Sequence, residues 1–205
     1  MKTNHQQINQ TSGKVEYYTP QPIIEAARKC MGGIDLDPAS SESANKRVKA
    51  NAFYTQEDDG LHERWFGRVW MNHPFGRRLE APVCSVGGVI TKEWVKWAED
   101  CKARGLHPVQ TKVIAGNDDW IQKLVREWGG GRMASACCIT FAATSEKWFR
   151  PLLNQPQCFL WPRTNYLLPD GSTMKGVTKG SVVTYFGPNV QRFKDAFREL
   201  GTVKV

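Results

Sequence analysis

The most informative stretch of this chain is Arg68-Val69-Trp70-Met71-Asn72-His73-Pro74-Phe75. Its first half predicts a short buried strand, and its second half begins where that strand opens into a loop. In open α/β sheets, ligands bind at the edge formed by the carboxyl ends of the strands. We therefore expect a ligand site that includes Asn72, His73, Pro74 and Phe75.

The chemistry of these four residues suits an exocyclic amine on a flat ring. The Asn72 side-chain oxygen and the carbonyl of residue 73 can both accept hydrogen bonds from an NH2 group. Pro74 restricts the backbone, and Phe75 offers a face for stacking. The alternative is a strand that ends in a polar turn with a core aromatic residue. Four residues alone favour that alternative, because short motifs match often by chance.

The order of predicted elements around this stretch indicates an α/β fold. Strands alternate with helices in the first half of the chain, which is typical of a parallel sheet. Gly32 and Gly33 end the first helix, and Ser40 or Ser41 caps the second. Asp118 is the predicted N-cap of a later helix. The predicted helices span residues 21–31, 93–104, 146–153 and 190–200, and the strands span residues 34–36, 52–55, 68–71, 136–141, 158–161, 163–168 and 181–186.

Composition narrows the classes of protein and partner. The formal net charge of +8 in 205 residues favours a polyanionic partner such as nucleic acid, although a solvated basic surface is also compatible with it. No apolar run reaches the roughly 18 residues that span a bilayer. Six cysteines without CxxC spacing suggest a reducing, cytoplasmic location. Residues 1–13 are polar and predict a disordered lead-in, which leaves one domain over residues 14–205.

Acidic side chains follow the first predicted strand. Asp35 and Asp37 alternate along the chain, so they are expected to point to opposite sides. Asp37, at the tip of the strand, is the one expected to face a ligand, although a helix cap or a solvent-facing acid would also explain it. The chain has neither a GxGxxG loop nor a Walker-type phosphate loop, which disfavours dinucleotide and nucleoside-triphosphate binding.

Four ordered motifs together resemble the phage-type DNA adenine-N6 methyltransferases. A weaker fifth motif is Thr144-Ser145-Glu146-Lys147-Trp148-Phe149, and the resemblance covers roughly residues 16–187. It implies a Rossmann-like methyltransferase fold, with S-adenosylmethionine as the methyl donor and double-stranded DNA as the substrate. The four motifs are Glu16-Tyr17-Tyr18-Thr19-Pro20, Ile34-Asp35-Leu36-Asp37-Pro38-Ala39-Ser40, Asp59-Gly60-Leu61 and Asn72-His73-Pro74-Phe75.

The resemblance also implies roles for individual residues. Asp59 corresponds to the acid that approaches the adenine of the donor, and the adjacent Asp58 competes for that role. Asn72 to Phe75 correspond to the catalytic motif, in which His73 stands where most relatives have proline. Because the carbonyl of that residue makes the hydrogen bond, histidine is compatible with function. The remaining implied donor-binding residues are Tyr18, Thr19, Pro20, Asp35, Asp37, Pro38 and Ala39.

Contacts to DNA are less clearly marked in the sequence. Residues 77–117 form a long connection after the catalytic motif, with basic residues next to Trp94 and Trp97. This pattern fits an insertion that contacts DNA, and it equally fits an amphipathic helix with a solvated basic face. Arg163 and Tyr166 are also compatible with structural roles. The candidate DNA-binding residues are Arg77, Arg78, Arg163, Tyr166 and Lys179.

A metal site is not expected. Cys84, Cys101 and His107 could supply three zinc ligands, but their spacing is irregular and a fourth ligand is missing.

Three functions are compatible with the motifs. The first is DNA adenine-N6 methylation of a base flipped out of the duplex, in the host cytoplasm if a phage encodes the protein. The second is the same fold acting on another planar nitrogen, in cytosine-N4 or protein glutamine. The third is a DNA-binding module that has lost catalysis, which only His73 supports. The basic charge favours DNA as the substrate.

Overall fold

The computed structural model describes residues 17–168, 170–174 and 177–205. The predicted lead-in at residues 1–13 lies outside them, as does Glu16 at the start of the first motif. Within these ranges, no helix combines the length and the apolar character that crossing a membrane requires.

The elements follow one another as a mixture of helices and short strands. The helices are α1 (Gln21–Met31), α2 (Glu42–Val48), α3 (Lys92–Ala103), α4 (Asn117–Gly129) and α5 (Val190–Phe197), with a 3-10 helix at Lys147–Leu152. The strands are β1 (Leu36–Asp37), β2 (Ala52–Phe53), β3 (Gly67–Met71), β4 (Leu79–Glu80), β5 (Ser85–Val86), β6 (Val89–Ile90), β7 (Val113–Ile114), β8 (Met133–Phe141), β9 (Gln157–Leu160), β10 (Ser181–Phe186) and β11 (Gly201–Lys204).

The main sheet is mixed, with the strand order β11-β9-β10-β8-β3-β1-β2. Strands β2, β1, β3 and β8 run parallel, as the sequence predicts. The expectation of a parallel sheet is wrong for β10, β9 and β11, which are added in antiparallel pairs. Every residue of β10 is buried, and a fully buried strand has the same apolar pattern in either direction.

Strand β1 lies between β2 and β3. The next strand in the chain, β2, therefore adds on one side of β1, and the following strand, β3, adds on the other side. A reversal of this kind opens a crevice at the carboxyl ends of the strands, where ligands bind in open α/β sheets. Asp37 ends β1 and Asn72 follows β3, so both residues lie at this crevice.

Helices cover the two faces of the sheet with separate apolar clusters. Helices α1 and α5 pack on one face around Trp70 and Tyr185. Helix α4 and the 3-10 helix pack on the other face around Trp65 and Met71. Trp70 and Met71 are adjacent in β3 and contribute to opposite clusters, because side chains alternate across a strand.

Local capping signals explain the helix boundaries that the sequence predicts correctly. Helix α1 ends at Gly32, which has a φ of 82°, a conformation that glycine adopts without steric strain. Helix α2 is capped by Ser41, whose hydroxyl accepts from the Ala44 amide at 3.1 Å. Of the two candidate caps, Ser41 is therefore the one used.

Other boundaries differ from the sequence predictions. Helix α4 begins at Asn117 after Gly116, so Asp118 lies in the first turn and is not the N-cap. Residues 163–168 do not form a strand; only Leu167 makes isolated bridges there. Strand β11 has an alternating pattern of partly and fully exposed residues. This strand was not predicted, because its apolar signal is too weak.

Residues 77–117 build a small unit with its own core. Strands β4 and β7 pair at its base, and β5 and β6 form a hairpin. Trp97 and Cys101 of α3 are buried against Ile114, with Trp94 packed beside them. The tryptophan pattern is therefore a packing stripe, while the basic residues of α3 lie on the opposite, exposed side.

Candidate active site

A cavity of about 1510 Å³ opens at the carboxyl edge of β1 and β3. It brings together residues from all four motifs, although they are far apart along the chain. The predicted site residues that line it are Tyr18, Thr19, Asp37, Pro38, Ala39, Asp59, Asn72, His73, Pro74, Phe75, Arg78 and Tyr166.

Asn72 is oriented by the segment that precedes α1. Its amide nitrogen donates to the Tyr17 carbonyl at 3.1 Å. Tyr18 and Leu167 exchange two backbone hydrogen bonds of 2.9 Å, which hold this segment in place. With its nitrogen engaged, Asn72 presents its side-chain oxygen as the group that can accept from a ligand.

Aromatic rings form one wall of the cavity beside Asn72. The ring centres of Phe75 and Phe141 lie 4.6 Å apart, and those of Phe75 and Tyr166 lie 6.2 Å apart. Tyr166 is buried and its hydroxyl lies 3.0 Å from the Ser181 hydroxyl. Tyr166 was predicted to contact a phosphate or a base, or to be structural; its buried ring belongs to the cavity wall, and a contact with DNA stays a prediction.

Asp37 is a buried carboxyl group at the end of β1. Its Oδ1 accepts from the Ala39 amide at 3.3 Å, and no lysine or arginine in the described part of the chain forms an ion pair with it. Burial raises the pKa of Asp37 to about 7. A carboxyl group without a cation, at the wall of a cavity, is suited to accept a hydrogen bond from a ligand.

Asp35 lies outside the cavity, although the sequence placed it among the donor-binding residues. Its carboxylate contacts Arg68 at 2.7 and 2.8 Å and accepts from the Asn51 amide at 3.1 Å. The hydrogen bonds from Arg68 lower the pKa of Asp35 to about 2. This side chain is satisfied within the protein and links the start of β1 to β3.

The turn after β2 distinguishes the two adjacent acids. Asp59 lines the cavity and its Oδ2 lies 2.7 Å from His62 Nδ1. Asp58 instead accepts from the Thr55 amide and hydroxyl, both at 2.8 Å, and does not line the cavity. Gly60 is required beside them, because a Cβ at this position would overlap the Pro38 carbonyl oxygen.

His73 is a buried neutral side chain. Its Nε2 lies 3.0 Å from the Oδ1 of Asn117, and burial lowers its pKa to about 4. The ring packs against Phe75 and Trp120. Histidine in place of the proline of most relatives therefore puts an imidazole in the cavity wall, where it is buried.

Several polar atoms around the cavity are buried without a hydrogen-bond partner in the described residues. Such atoms are uncommon in native proteins, and a polar ligand or an ordered water molecule would satisfy them. Ser40 and Trp70 were not predicted as site residues, because a serine beside a helix start and a strand tryptophan have ordinary structural explanations. The unpartnered atoms are Thr19 Oγ1, Trp70 Nε1 and His73 Nδ1.

The remaining candidate residues lie at or near the surface. Arg77, Arg163 and Lys179 are exposed, and the Lys179 ammonium lies 5.6 Å from the Phe141 ring centre. Arg78 forms an ion pair of 2.5 Å with Asp119. Pro20 precedes α1 and is not among the residues that line the cavity.

The three possible zinc ligands do not form a site. Cys84 is exposed and Cys101 is buried. Across the described ranges, no group of three or more histidine, cysteine, aspartate or glutamate side chains could hold a metal ion.

Comparison with known proteins gives one result. A family model described as DNA N-6-adenine-methyltransferase (Dam) matches residues 8–183, which is more than half of the chain. No curated protein and no solved structure matches the chain.

Proposed function

The chain belongs to the DNA N-6-adenine-methyltransferase family, and we propose that its cavity holds S-adenosylmethionine beside a flipped adenine. Family membership makes the protein a DNA adenine-N6 methyltransferase. Among the functions compatible with the sequence, membership selects this one over methylation of cytosine-N4 or protein glutamine and over an inactive binding module.

A Rossmann-like methyltransferase fold is supported by the position of β1. The strand lies between β2 and β3 in the parallel half of the sheet, and helices cover both faces. Folds of this kind bind ligands at the point where strand order reverses, and the cavity lies there. In this proposal, residues 77–117 are an insertion between β3 and α4.

The donor would be held by residues that follow β1 and precede α1. S-adenosylmethionine supplies a methyl group on a positively charged sulfur, which activates it for transfer. Asp37 would accept a hydrogen bond from the donor, and Thr19 offers an unpartnered hydroxyl. Asp59 lines the same cavity and would approach the adenine of the donor.

The target amine would be oriented by two acceptors. The nitrogen lone pair of an adenine amine is delocalised into the ring, which makes the amine a poor nucleophile. The Asn72 side-chain oxygen and the His73 carbonyl would draw this nitrogen toward tetrahedral geometry and stabilise the positive charge that develops on it. The extra proton would then be lost to water.

The aromatic wall would receive the flipped base. The target amine is inaccessible inside a base stack, so the adenine must leave the duplex. Phe75 is half-buried and supported by Phe141. Stacking on Phe75 would contribute about 1–3 kcal/mol.

Exposed cations near the cavity would contact the DNA backbone. Arg77 follows the catalytic motif, Lys179 lies against Phe141, and Arg163 is exposed. The net charge of +8 supports this electrostatic contribution. Arg78 is engaged by Asp119, so we assign it a weaker contribution. The cytoplasmic location stays a prediction.

One observation carries the assignment of the catalytic residue. The Asn72 amide nitrogen donates to the Tyr17 carbonyl and Asn72 lines the cavity, so its oxygen would be the group that accepts from the target amine. We expect Asn72→Ala to lower methyl transfer at least about 100-fold, as for the loss of an oriented polar group in a transition state. The affinity for S-adenosylmethionine stays nearly unchanged, because the donor would be held by other residues.

The test measures transfer of labelled methyl groups from S-adenosylmethionine to unmethylated duplex DNA, followed by separation of the nucleosides. Label in N6-methyladenine with the native protein, and its loss with Asn72→Ala, supports the proposal. The matched control is Asn154→Ala, at an exposed asparagine outside the cavity. Full turnover by Asn72→Ala would overturn the role of Asn72, and label in cytosine would overturn the acceptor.

A further inference from the structure

Asn117 joins the beginning of α4 to the loop that carries the catalytic motif. It is 8% exposed and lies 44 positions from His73 in the chain. Its backbone amide donates to the Gly76 carbonyl at 2.8 Å. Its side-chain oxygen lies 3.0 Å from His73 Nε2 and 3.4 Å from the Gly76 nitrogen. Both ends of the loop from residue 73 to residue 76 therefore contact one residue.

The two contacts of the Asn117 oxygen determine the protonation of His73. The Gly76 backbone nitrogen is a donor only, so the atom that it contacts must be the amide oxygen. An amide oxygen carries no hydrogen, so His73 Nε2 must donate. The neutral ring then has a bare Nδ1, which is the buried atom without a partner in the described residues.

Residues at the start of α4 also contact this loop. A Cβ on Gly116 would overlap the backbone nitrogen of Arg78, so the loop lies directly on the helix start. Asp119 accepts from the Gly116 amide at 2.9 Å and pairs with Arg78 at 2.5 Å.

Helix α4 is a rigid support for this contact. Ile121 and Leu124 are fully buried in the core on one face of the sheet. A group held by a packed helix can fix the geometry of a loop more closely than another loop could. The position of the His73 backbone is therefore coupled to the core through Asn117.

We propose that Asn117 is a positioning residue for methyl transfer, which holds the His73 ring and the Gly76 amide and thereby directs the His73 carbonyl toward the target amine. This inference rests on the proposed function, in which that carbonyl accepts from the amine. Asn117 itself does not need to contact the DNA or the donor.

The first test is the Asn117→Ala variant. It removes the acceptor for both donors, so the loop loses its alignment and kcat falls about 10- to 100-fold, as for a displacement on the order of 1 Å. The Kd for S-adenosylmethionine and the KM for DNA remain close to native values, because no binding group is removed. Asn154→Ala is the matched control. A native kcat for Asn117→Ala would overturn the inference.

A double-mutant cycle with His73→Pro isolates the contribution of the imidazole. Proline has no imidazole N–H to donate to the Asn117 oxygen, so Asn117→Ala should lower kcat less in the His73→Pro background than in the native protein. Equal reductions in both backgrounds would show that Asn117 does not act through His73, and would overturn that part of the inference.

A spectroscopic measurement does not depend on the variants folding. Nitrogen-15 chemical shifts of the His73 ring in the native protein should show a proton on Nε2 and a bare Nδ1. A proton on Nδ1 would contradict the contact with Asn117.

The Asn117→Asp variant retains an acceptor for both donors, so its kcat should be higher than that of Asn117→Ala. An equal loss of kcat in the two variants would argue against a positioning role.

The outcomes separate this inference from the proposed function. Absence of N6-methyladenine with the native protein would overturn the proposed function. Activity in the native protein, loss of activity in Asn72→Ala and unchanged kcat in Asn117→Ala would overturn only the positioning role.

Discussion

The two ends of β1 carry the same kind of side chain in opposite environments. Asp35, just before the strand, contacts Arg68 and Asn51, and its pKa is lowered to about 2. Asp37, at the end of the strand, is buried without a cation, and its pKa is raised to about 7. One carboxyl group is satisfied by the protein, whereas the other lines the cavity.

The contrast separates stability from function within a single strand. A carboxylate that is paired inside the protein contributes to the free energy of unfolding. A carboxyl group that is buried without a cation costs free energy, and such groups gather at functional sites. We infer that Asp35 stabilises the fold and that Asp37 binds a ligand, and three predictions test this distinction.

The largest expected effect is on donor affinity in Asp37→Ala. Loss of a hydrogen bond to a charged group, worth about 1.5–3 kcal/mol, raises the Kd for S-adenosylmethionine about 10- to 100-fold. The free energy of unfolding of the ligand-free protein changes little, because loss of the hydrogen bond from the Ala39 amide is offset by removal of a buried carboxyl group that has no cation partner. Titration calorimetry and urea unfolding check both parts. An unchanged Kd would contradict the assignment of Asp37.

Asp35→Ala should show the reverse pattern. Loss of the contacts to Arg68 lowers the free energy of unfolding by about 1–2 kcal/mol, since water partly screens this pair. The Kd for S-adenosylmethionine in the folded protein stays native. Titration calorimetry and urea unfolding check both parts, with Asp37→Ala as the variant for comparison. A large rise in Kd with intact folding would mean that Asp35 also binds the donor.

The third expected effect is a pH dependence that has opposite signs for the free energy of unfolding and for donor affinity. Asp37 keeps its proton in the folded protein up to about pH 7, whereas its ordinary pKa is 3.8. The free energy of unfolding of the ligand-free protein should therefore fall as pH rises through this interval, by at most about 1.4 kcal/mol per pH unit. Donor affinity should rise over the same interval, because the carboxylate is the better acceptor.

Asp37→Asn is the control for this pH dependence, because it removes the titrating group and keeps its shape. The pH dependence of the free energy of unfolding and that of donor affinity should then both become weaker. The contribution of Asp35 has the opposite sign, since its stabilisation is present above pH 3.8 and is lost as pH falls toward 2. Donor affinity that declines between pH 4 and 7 in the native protein would contradict the assigned role of Asp37.

The sequence predicts the first half of the fold better than the second. Helix α1 lies where the sequence predicts it, because Gly32 and the apolar face are local signals. Strand β10 was predicted, but the parallel direction expected for it is wrong, because both directions of a fully buried strand have the same pattern. Residues 163–168 resemble a strand in sequence and pair only at Leu167.

The site shows the same division between local and tertiary information. The motifs identify Asp37 and Asn72, because strand ends followed by polar turns are visible in the sequence. Nothing local identifies Asn117, which is significant only because α4 places it against His73. The choice between Asp58 and Asp59 likewise depends on which side of a turn faces the cavity.

The amino-acid sequence alone gives the family and the reaction, and it predicts the residues of the catalytic motif, because short ordered segments carry this local chemistry. The tertiary structure shows which acid pairs with a cation and which does not, and that the distant Asn117 contacts the loop after β3. Charge pairing and burial depend on neighbours in space, and residues such as Asp35 and Arg68 meet only when the sheet forms.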